Sequence, residues 1–446
     1  MQQEMEPSAD LRAGLAETAD RNEPASQESY KAVRERQSIH SSPAPSRPAW
    51  SLERSLVDWV YQRAGTPRLM IQLWDGTTVG DPSGVGTIIL QQPAALRRLC
   101  WHPSLSFGEC YSDGTLQIEG DLLSVLLEVN RGLARVRAAE THKNRSARFT
   151  RSSHSLSNSK SSVHHHYDLG NDFYRLWLDE RMVYTCAYYP RPDATLNEAQ
   201  VAKLDYVCRK LRLQPGERVA EAGCGWGALA MHMAKNYGVH VQAYNLSTEQ
   251  IQHARQWAQS EGLGDRIQFV HDDYRHMSGQ FDAFVSVGML EHVGPENYRN
   301  MGQLMSRVLT PTGLGLIHTI GRNAPRALDP WTDKYIFPGA HPPSLREMMD
   351  LFEGSGFSVL DVENLRLHYA RTCADWLAQF DRVADQVAQM FDERFVRMWR
   401  LYLAASSATF TSGDLQLFQV VFTRDNNNTL PWTRADWYAD SALQPE

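Results

Sequence analysis

Glu221-Ala222-Gly223-Cys224-Gly225-Trp226-Gly227 sits between a short apolar strand, Arg218-Val219-Ala220-Glu221, and a helical stretch that opens at Ala228. Glycines at a strand-to-helix turn let the backbone bend sharply and approach a ligand closely at the carboxyl end of the strand. Their spacing is G-x-G-x-G, not the G-x-G-x-x-G of dinucleotide binders, and no Lys follows them as a phosphate-cradling loop requires. By itself the trio is equally what any tight strand-to-helix turn shows. Its context decides the reading.

Working outward, strands and helices alternate. Ala228 to Tyr237 reads as a helix, Val239 to Tyr244 as a strand and Thr248 to Ser260 as a helix. Ile267 to Val270 and Phe281 to Val287 read as strands, Glu296 to Leu309 as a helix and Gly315 to Ile320 as a strand. Repeated βα units of this length predict an α/β fold with a doubly wound, Rossmann-like parallel sheet. Leu415 to Phe422 is a long apolar run suited to an antiparallel last strand. Val383, Val387, Phe391, Phe395, Met398 and Tyr402 recur at three- and four-residue spacing and predict one amphipathic helix, its stripe turned to the core.

The rest of the 446 residues divides by composition. Residues 1–49 have sparse apolar residues without a period and read as a disordered tail. Met1 to Asp20 carries five acids and no apolar h-region, so no secretory signal is expected. Residues 50–139 read as a small α+β domain: a strand at Leu69 to Trp74, another at Thr115 to Gly120 after the Asp113-Gly114 turn, and a buried helix at Leu122 to Val129. No chemistry is recognisable in it. Residues 140–163 read as a basic, serine-rich linker, and from 131 to 160 eight basic residues face Glu140 alone. Such a segment is a solvated tether, and it can also touch anionic lipid headgroups. Residues 164–446 form the larger domain.

Composition excludes several classes. With 45 Lys+Arg against 52 Asp+Glu, a net charge of -7 offers nothing to nucleic acid. No apolar run reaches the length of a membrane span. Six scattered cysteines without a C-x-x-C argue against a zinc ribbon or disulfide scaffold and favour a reducing cytoplasm. The run His164-His165-His166 has no second ligand cluster beside it, so no metal is assigned.

Around the glycine turn the chemistry is that of a methionine-derived cofactor. Glu221 can hold an amino group. The second strand ends at Asn245-Leu246-Ser247, where ribose hydroxyls would lie. The third runs into His271-Asp272-Asp273-Tyr274, where a carboxylate can accept from adenine. Together these fit an S-adenosylmethionine methyltransferase better than a dehydrogenase. Upstream, residues 164–190 hold seven aromatic residues, and aromatic faces stabilise cations, among them a sulfonium or a carbocation.

Here the sequence resembles the cyclopropane-fatty-acid synthase and mycolic acid cyclopropane synthase family. The resemblance covers about His164 to Arg424 and rests on HYDLGNDFY (166–174), YTCAYY (184–189), EAGCGWGALA (221–230), NLSTEQ (245–250), DDYR (272–275), LEHVG (290–294), IHTIG (317–321) and KYIFPGAHPPS (334–344), in order. The region 50–139 is similar to the N-terminal domain of longer bacterial members. Thr185, Asn245 and Ala340 stand where the family more often has Ser, Thr and Gly.

The resemblance implies methyl transfer from S-adenosylmethionine to a cis double bond of a phospholipid acyl chain, then loss of a proton from the new methyl to close a ring. It implies a bicarbonate base held by Cys186, Glu291, His318, the backbone of Ile320, and Tyr369. It places the cofactor against Tyr184, Thr185, Glu221, Gly223, Gly225, Gly227, Asn245, Leu246, Gln250, Asp273 and Tyr274. The expected partner is a phospholipid bilayer met from the cytoplasmic side of the inner membrane, with a homodimer left open. A methylene- or methyl-branched product, or a small soluble methyl acceptor, stays open as an alternative.

Overall fold

The computed structural model describes residues 48–141 and 169–438. The expected N-terminal tail up to residue 47, the basic linker beyond Thr141, the histidine run 164–166 and the first residues of HYDLGNDFY lie outside the described residues.

The larger sheet has seven strands: β5 (Arg218–Ala222), β6 (His240–Asn245), β7 (Ile267–His271), β8 (Phe281–Val287), β9 (Leu309–Gly321), β10 (Phe357–Asn364) and β11 (Gln416–Arg424). Their order is β10-β11-β9-β8-β5-β6-β7. β5 to β9 run parallel, and β11 inserts antiparallel between β9 and β10. The strand order turns back at β5, which has β6 on one side and β8 on the other. In sheets of this kind that switch point is where ligands bind, at the carboxyl edge. Both faces are covered. Val219, Val241, Val285 and Leu316 point into one apolar cluster, and Ala220, Phe284, Ile317 and Val420 into the other, as the two-residue period of a strand requires.

Local chemistry sets the helix ends beside the switch point. The helix Ala228–Tyr237 opens after Gly227 (φ +90°) and stops at Gly238 (φ +68°), both in the left-handed region that favours glycine. The Ser247 side chain accepts from Gln250 N and starts Thr248–Ser260. Thr195 and Glu198 cap each other's backbone at the start of Leu196–Leu211.

A second, four-stranded sheet has the order β2-β1-β3-β4, with β1 Met70–Gln72, β2 Thr78–Gly80, β3 Gly86–Leu90 and β4 Leu116–Gly120. Its apolar side is continuous with the long helices Arg366–Arg382 and Glu393–Ser412. Arg397 Nε donates to Tyr111 O at 2.6 Å, and the Tyr335 hydroxyl donates to Glu109 at 2.8 Å. Gly108 is needed at this seam, because a Cβ there would sit 2.3 Å from the Trp331 ring.

Three local readings are corrected. The amphipathic run from Val383 to Tyr402 is two helices, Ala384–Met390 and Glu393–Ser412. The chain breaks at Phe391 (φ -125°, ψ -101°), and Asp392 starts a new helix by accepting from Phe395 N at 2.7 Å. The helix from Leu122 does not stop at Val129 but continues to Thr141. β10 was not anticipated, since its half-buried residues show no clean alternation. Among the described residues no helix is long and apolar enough to cross a membrane.

Candidate active site

The glycine turn is held from β6. Gly223 N and Cys224 N both donate to Tyr244 O, at 2.9 and 3.1 Å. Its three glycines do different things. A Cβ on Gly225 (φ +54°) would meet nothing within 4 Å, so this position faces open space at the carboxyl edge. A Cβ on Gly223 would press on the Met289 side chain at 3.0 Å. A Cβ on Gly227 would lie 2.8 Å from Phe269 and 2.9 Å from Ala254, so the lack of a side chain there serves helix-to-sheet packing.

Gly223, Asn245, Leu246, Asp273 and Tyr274 line one pocket beside β5 and β6. Much of their polar capacity is already engaged. Asn245 Nδ2 donates to Gly225 O at 3.1 Å and to Gln250 Oε1 at 2.8 Å, so this amide braces the glycine turn against the next helix. Both Asp273 oxygens accept from Arg275, through its backbone N at 2.9 Å and its guanidinium at 3.1 Å. Each carboxylate oxygen keeps a second lone pair for a ligand. Glu221 is buried with Oε2 unpartnered, and burial raises its carboxyl above the usual range while Lys203 opposes the shift. A buried acid of this kind is suited to an incoming ammonium group.

Lys203 itself was not anticipated. It is buried on the helix Leu196–Leu211 and donates to Thr185 Oγ1 at 2.8 Å. Burial lowers its ammonium, with Cys186, Asp179 and Glu221 pulling the other way. Gln200 and Lys203 fall on the apolar stripe of that helix, between Leu196, Ala199, Leu204 and Val207. Polar side chains inside an apolar period were the available signal.

Of the five residues assigned to the base, Glu291 lies just past β8, His318 and Ile320 lie near the end of β9, and Tyr369 is close enough to feel Glu291 and Cys186. Glu291 Oε1 accepts from Ile320 N at 2.6 Å, while Oε2 is buried without a partner. Burial pushes the Glu291 carboxyl up to about 7. His318 shares a face of β9 with Ile320. Its Nδ1 meets Gln419 Nε2 at 2.9 Å, and its Nε2 is buried and unpartnered. Burial pushes the imidazole well below its ordinary value, so His318 is neutral. Tyr369 and Cys186 are close enough for each to influence the other, and both remain protonated because burial raises the phenol and the thiol. The result is a buried nook with an unpartnered carboxyl oxygen on Glu291 and a phenol on Tyr369, while the His318 Nε2 on β9 is also buried and unpartnered.

That nook opens into a cavity of about 720 Å³. Tyr184, Thr185, Gly288, Glu291, Ile320 and Tyr369 line its inner end. Ile88, Leu90, Leu96, Leu99 and Phe107 wall it from the N-terminal sheet and its helices. The region in which no chemistry was legible therefore builds part of the site. The aromatic segment packs on itself and on the elements around it: Trp177 lies 5.5 Å from Tyr184 and Tyr174 lies 5.0 Å from Trp226, ring to ring. The Tyr184 hydroxyl bonds that of Tyr402 at 2.8 Å.

A seven-stranded sheet with a glycine turn and acid at its switch point defines a methyltransferase of the Rossmann-like type, and solved structures agree. The cyclopropane synthase MmaA2 from Mycobacterium tuberculosis superposes with a TM-score of 0.57 at 29% identity, over 59% of this chain and 98% of that one. The mycolic acid cyclopropane synthase CmaA1, solved with SAH and CTAB, gives 0.57 at 32% identity over the same shares. The family model for mycolic acid cyclopropane synthetases matches residues 154–420, and a domain family of unknown function matches 59–133. The chain belongs to the cyclopropane-fatty-acid and mycolic acid cyclopropane synthase family of S-adenosylmethionine-dependent enzymes. A probable fatty acid methyltransferase of Pseudomonas putida is 36% identical over 83% of this chain and 96% of its own length. The cyclopropane-fatty-acyl-phospholipid synthase of Escherichia coli K12 is 43% identical over 59% of this chain and 68% of its own.

Proposed function

We propose that the protein transfers a methylene from S-adenosylmethionine to cis double bonds in the acyl chains of phospholipids, giving cyclopropane rings. The observation that carries this reading is the apolar cavity ending at Glu291 and Tyr369. A soluble acceptor would call for convergent polar groups along the wall, and an acyl chain calls for their absence.

The cofactor's sulfonium methyl would approach from the glycine turn, with Glu221 facing its ammonium group and Gly225 leaving room. Tyr184 and Tyr369 present aromatic faces where positive charge develops on the alkene. A bicarbonate ion, which fits the unpartnered atoms of the nook, would supply a base for the proton of the new methyl. Cys186, Glu291, His318, Ile320 N and Tyr369 would hold it. The neutral His318 can donate from Nε2, and the Glu291 carboxyl, poised near 7, can donate when protonated. Contact with a bilayer through the basic run before residue 160 belongs to the same proposal.

A branched chain is the second reading. It is favoured by the relatives that match the N-terminal region too, the P. putida protein above and the tuberculostearic acid methyltransferase UfaA1 of M. tuberculosis, 34% identical over 86% of its length. Mass spectrometry of lipids from cells expressing the protein separates the readings. A gain of one methylene per unsaturated chain supports acyl transfer, ring-against-branch analysis names the product, and an unchanged lipid profile rejects both.

A further inference from the structure

The cavity is mostly apolar, and at one patch of its wall Arg137, Arg322 and Arg326 gather at Asp414. Arg137 comes from the helix Leu122–Thr141, Arg322 and Arg326 from the segment after β9, and Asp414 from the turn before β11. Asp414 is shared: one oxygen pairs with Arg137 and the other with Arg326. Arg322 is buried, and among the described residues no carboxylate lies within ion-pairing distance of it. Its backbone N donates to Pro343 O at 2.8 Å and its guanidinium to Ala327 O at 3.2 Å, while Nε is buried with no partner. Asp329 also lines the cavity, but one of its oxygens caps Trp331 N and Thr332 N and the other pairs with Ser104.

Three guanidinium groups thus gather around Asp414, with Asp329 near enough to act on Arg322, and the buried Arg322 Nε is left without a partner. A buried arginine without its own counter-charge is costly. Burial and the neighbouring Arg326 push Arg322 down to about 10, against the opposing pull of Asp414 and Asp329. The site is graded: Arg137 and Arg326 are partly exposed, and Arg322 lies deepest. Arg322 is also two residues beyond Ile320, whose amide holds Glu291. One continuous cavity therefore joins an oxyanion-seeking patch to the reacting end. That is the shape of an amphiphile with an anionic head and a long apolar chain.

We propose that Arg322, Arg326 and Arg137 form an oxyanion site for the headgroup phosphate of a phospholipid, whose acyl chain lies along the apolar cavity toward Glu291. The assignment rests on the acyl-lipid reading of the cavity. Guanidinium forks match the paired oxygens of a phosphate and can replace part of the contact with Asp414.

The test is calorimetric titration of the whole protein with a short-chain phosphatidylglycerol, the diacylglycerol of the same chains, and inorganic phosphate. The expected result is tighter binding of the phosphatidylglycerol than of the diacylglycerol. Arg322→Gln and Arg326→Gln should each weaken the phospholipid by about tenfold or more, as loss of a charge-assisted contact implies, and bring its affinity toward that of the neutral lipid. Arg326 is partly exposed, so its variant guards against misfolding at Arg322, and thermal melts check both. Equal affinity for the two lipids in the parent, or unchanged affinity in folded variants, overturns the site. Inorganic phosphate binding as tightly as the phospholipid, with the same loss in the variants, overturns the headgroup assignment in favour of free phosphate. Turnover separates this proposal from the one it rests on. Arginine-dependent binding without methylation of any acyl chain sinks the acyl-transfer reading and leaves the site. Turnover of both lipids with no selective loss in the variants sinks the site and leaves the reading.

Discussion

Gln419 Nε2 lies 2.9 Å from His318 Nδ1, although the two residues are 101 positions apart. The direction of this bond is decided one residue further out. Lys210 Nζ, buried beside Glu363, donates to Gln419 Oε1 at 2.8 Å. An ammonium has donors only, so the amide must turn its oxygen to Lys210 and its NH2 to the imidazole. Nδ1 is then the acceptor and Nε2 carries the proton. His318 Nε2 is therefore a donor, as the role proposed for it beside a separate base requires.

Gln419→Glu should reverse that tautomer, because a carboxylate beside Nδ1 demands a proton there. Nitrogen–proton correlation spectra of labelled histidine should show the His318 proton moving from Nε2 to Nδ1. Turnover should fall by about 10–100-fold, the scale seen when the group that orients a site histidine is lost. An unchanged His318 spectrum in the folded variant would break the link between the amide and the tautomer.

Glu291→Gln should lower turnover by about 10²–10⁴-fold, the usual weight of a positioned proton transfer, with cofactor affinity little changed. It also makes a stability prediction. The folded carboxyl is raised from 4.5 to about 7, so between those values the folded state binds more protons than the unfolded one. Stability must then fall as pH rises through that window, by an amount on the order of 3 kcal/mol. The amide cannot titrate and should remove this loss. Parallel pH–stability curves for parent and variant would exclude a raised carboxyl at this position.

Gly225→Val and Gly227→Ala should fail in different ways. The first places a side chain in the open space of the cofactor site and should abolish cofactor binding in calorimetry, with a backbone penalty of about 1–2 kcal/mol. The second drives a Cβ into Phe269 and Ala254 and should mainly lower the melting temperature. Normal cofactor affinity in folded Gly225→Val would remove the glycine turn from the site.

Leu90→Trp tests the wall contributed by the N-terminal sheet. The extra volume enters the cavity, so turnover of long acyl chains should drop at least severalfold while cofactor binding persists. Equal turnover by parent and variant would mean that acyl chains do not reach this wall.

What was legible in the sequence is what local forces decide. Ala228–Tyr237, Thr248–Ser260 and Phe281–Val287 fall where periodicity and caps place them, because a helix stripe and a buried strand each carry their own signal within a few residues. The family resemblance that the ordered motifs carry named Glu291, His318, Cys186 and Tyr369 as candidates. Tertiary structure decided what depends on partners distant in the chain. Gln419 lies in the run read as apolar, and only pairing of β11 with β9 brings it to His318. Lys203 meets Thr185 only when its helix covers that residue, and Arg322 has no ion pair of its own among the described residues, while Asp414 pairs with Arg137 and Arg326. The break at Phe391 and the late strand β10 follow from packing rather than pattern. The cavity belongs to neither sheet alone: its wall combines residues separated by two hundred positions or more, and a void between packed elements has no local sequence signal.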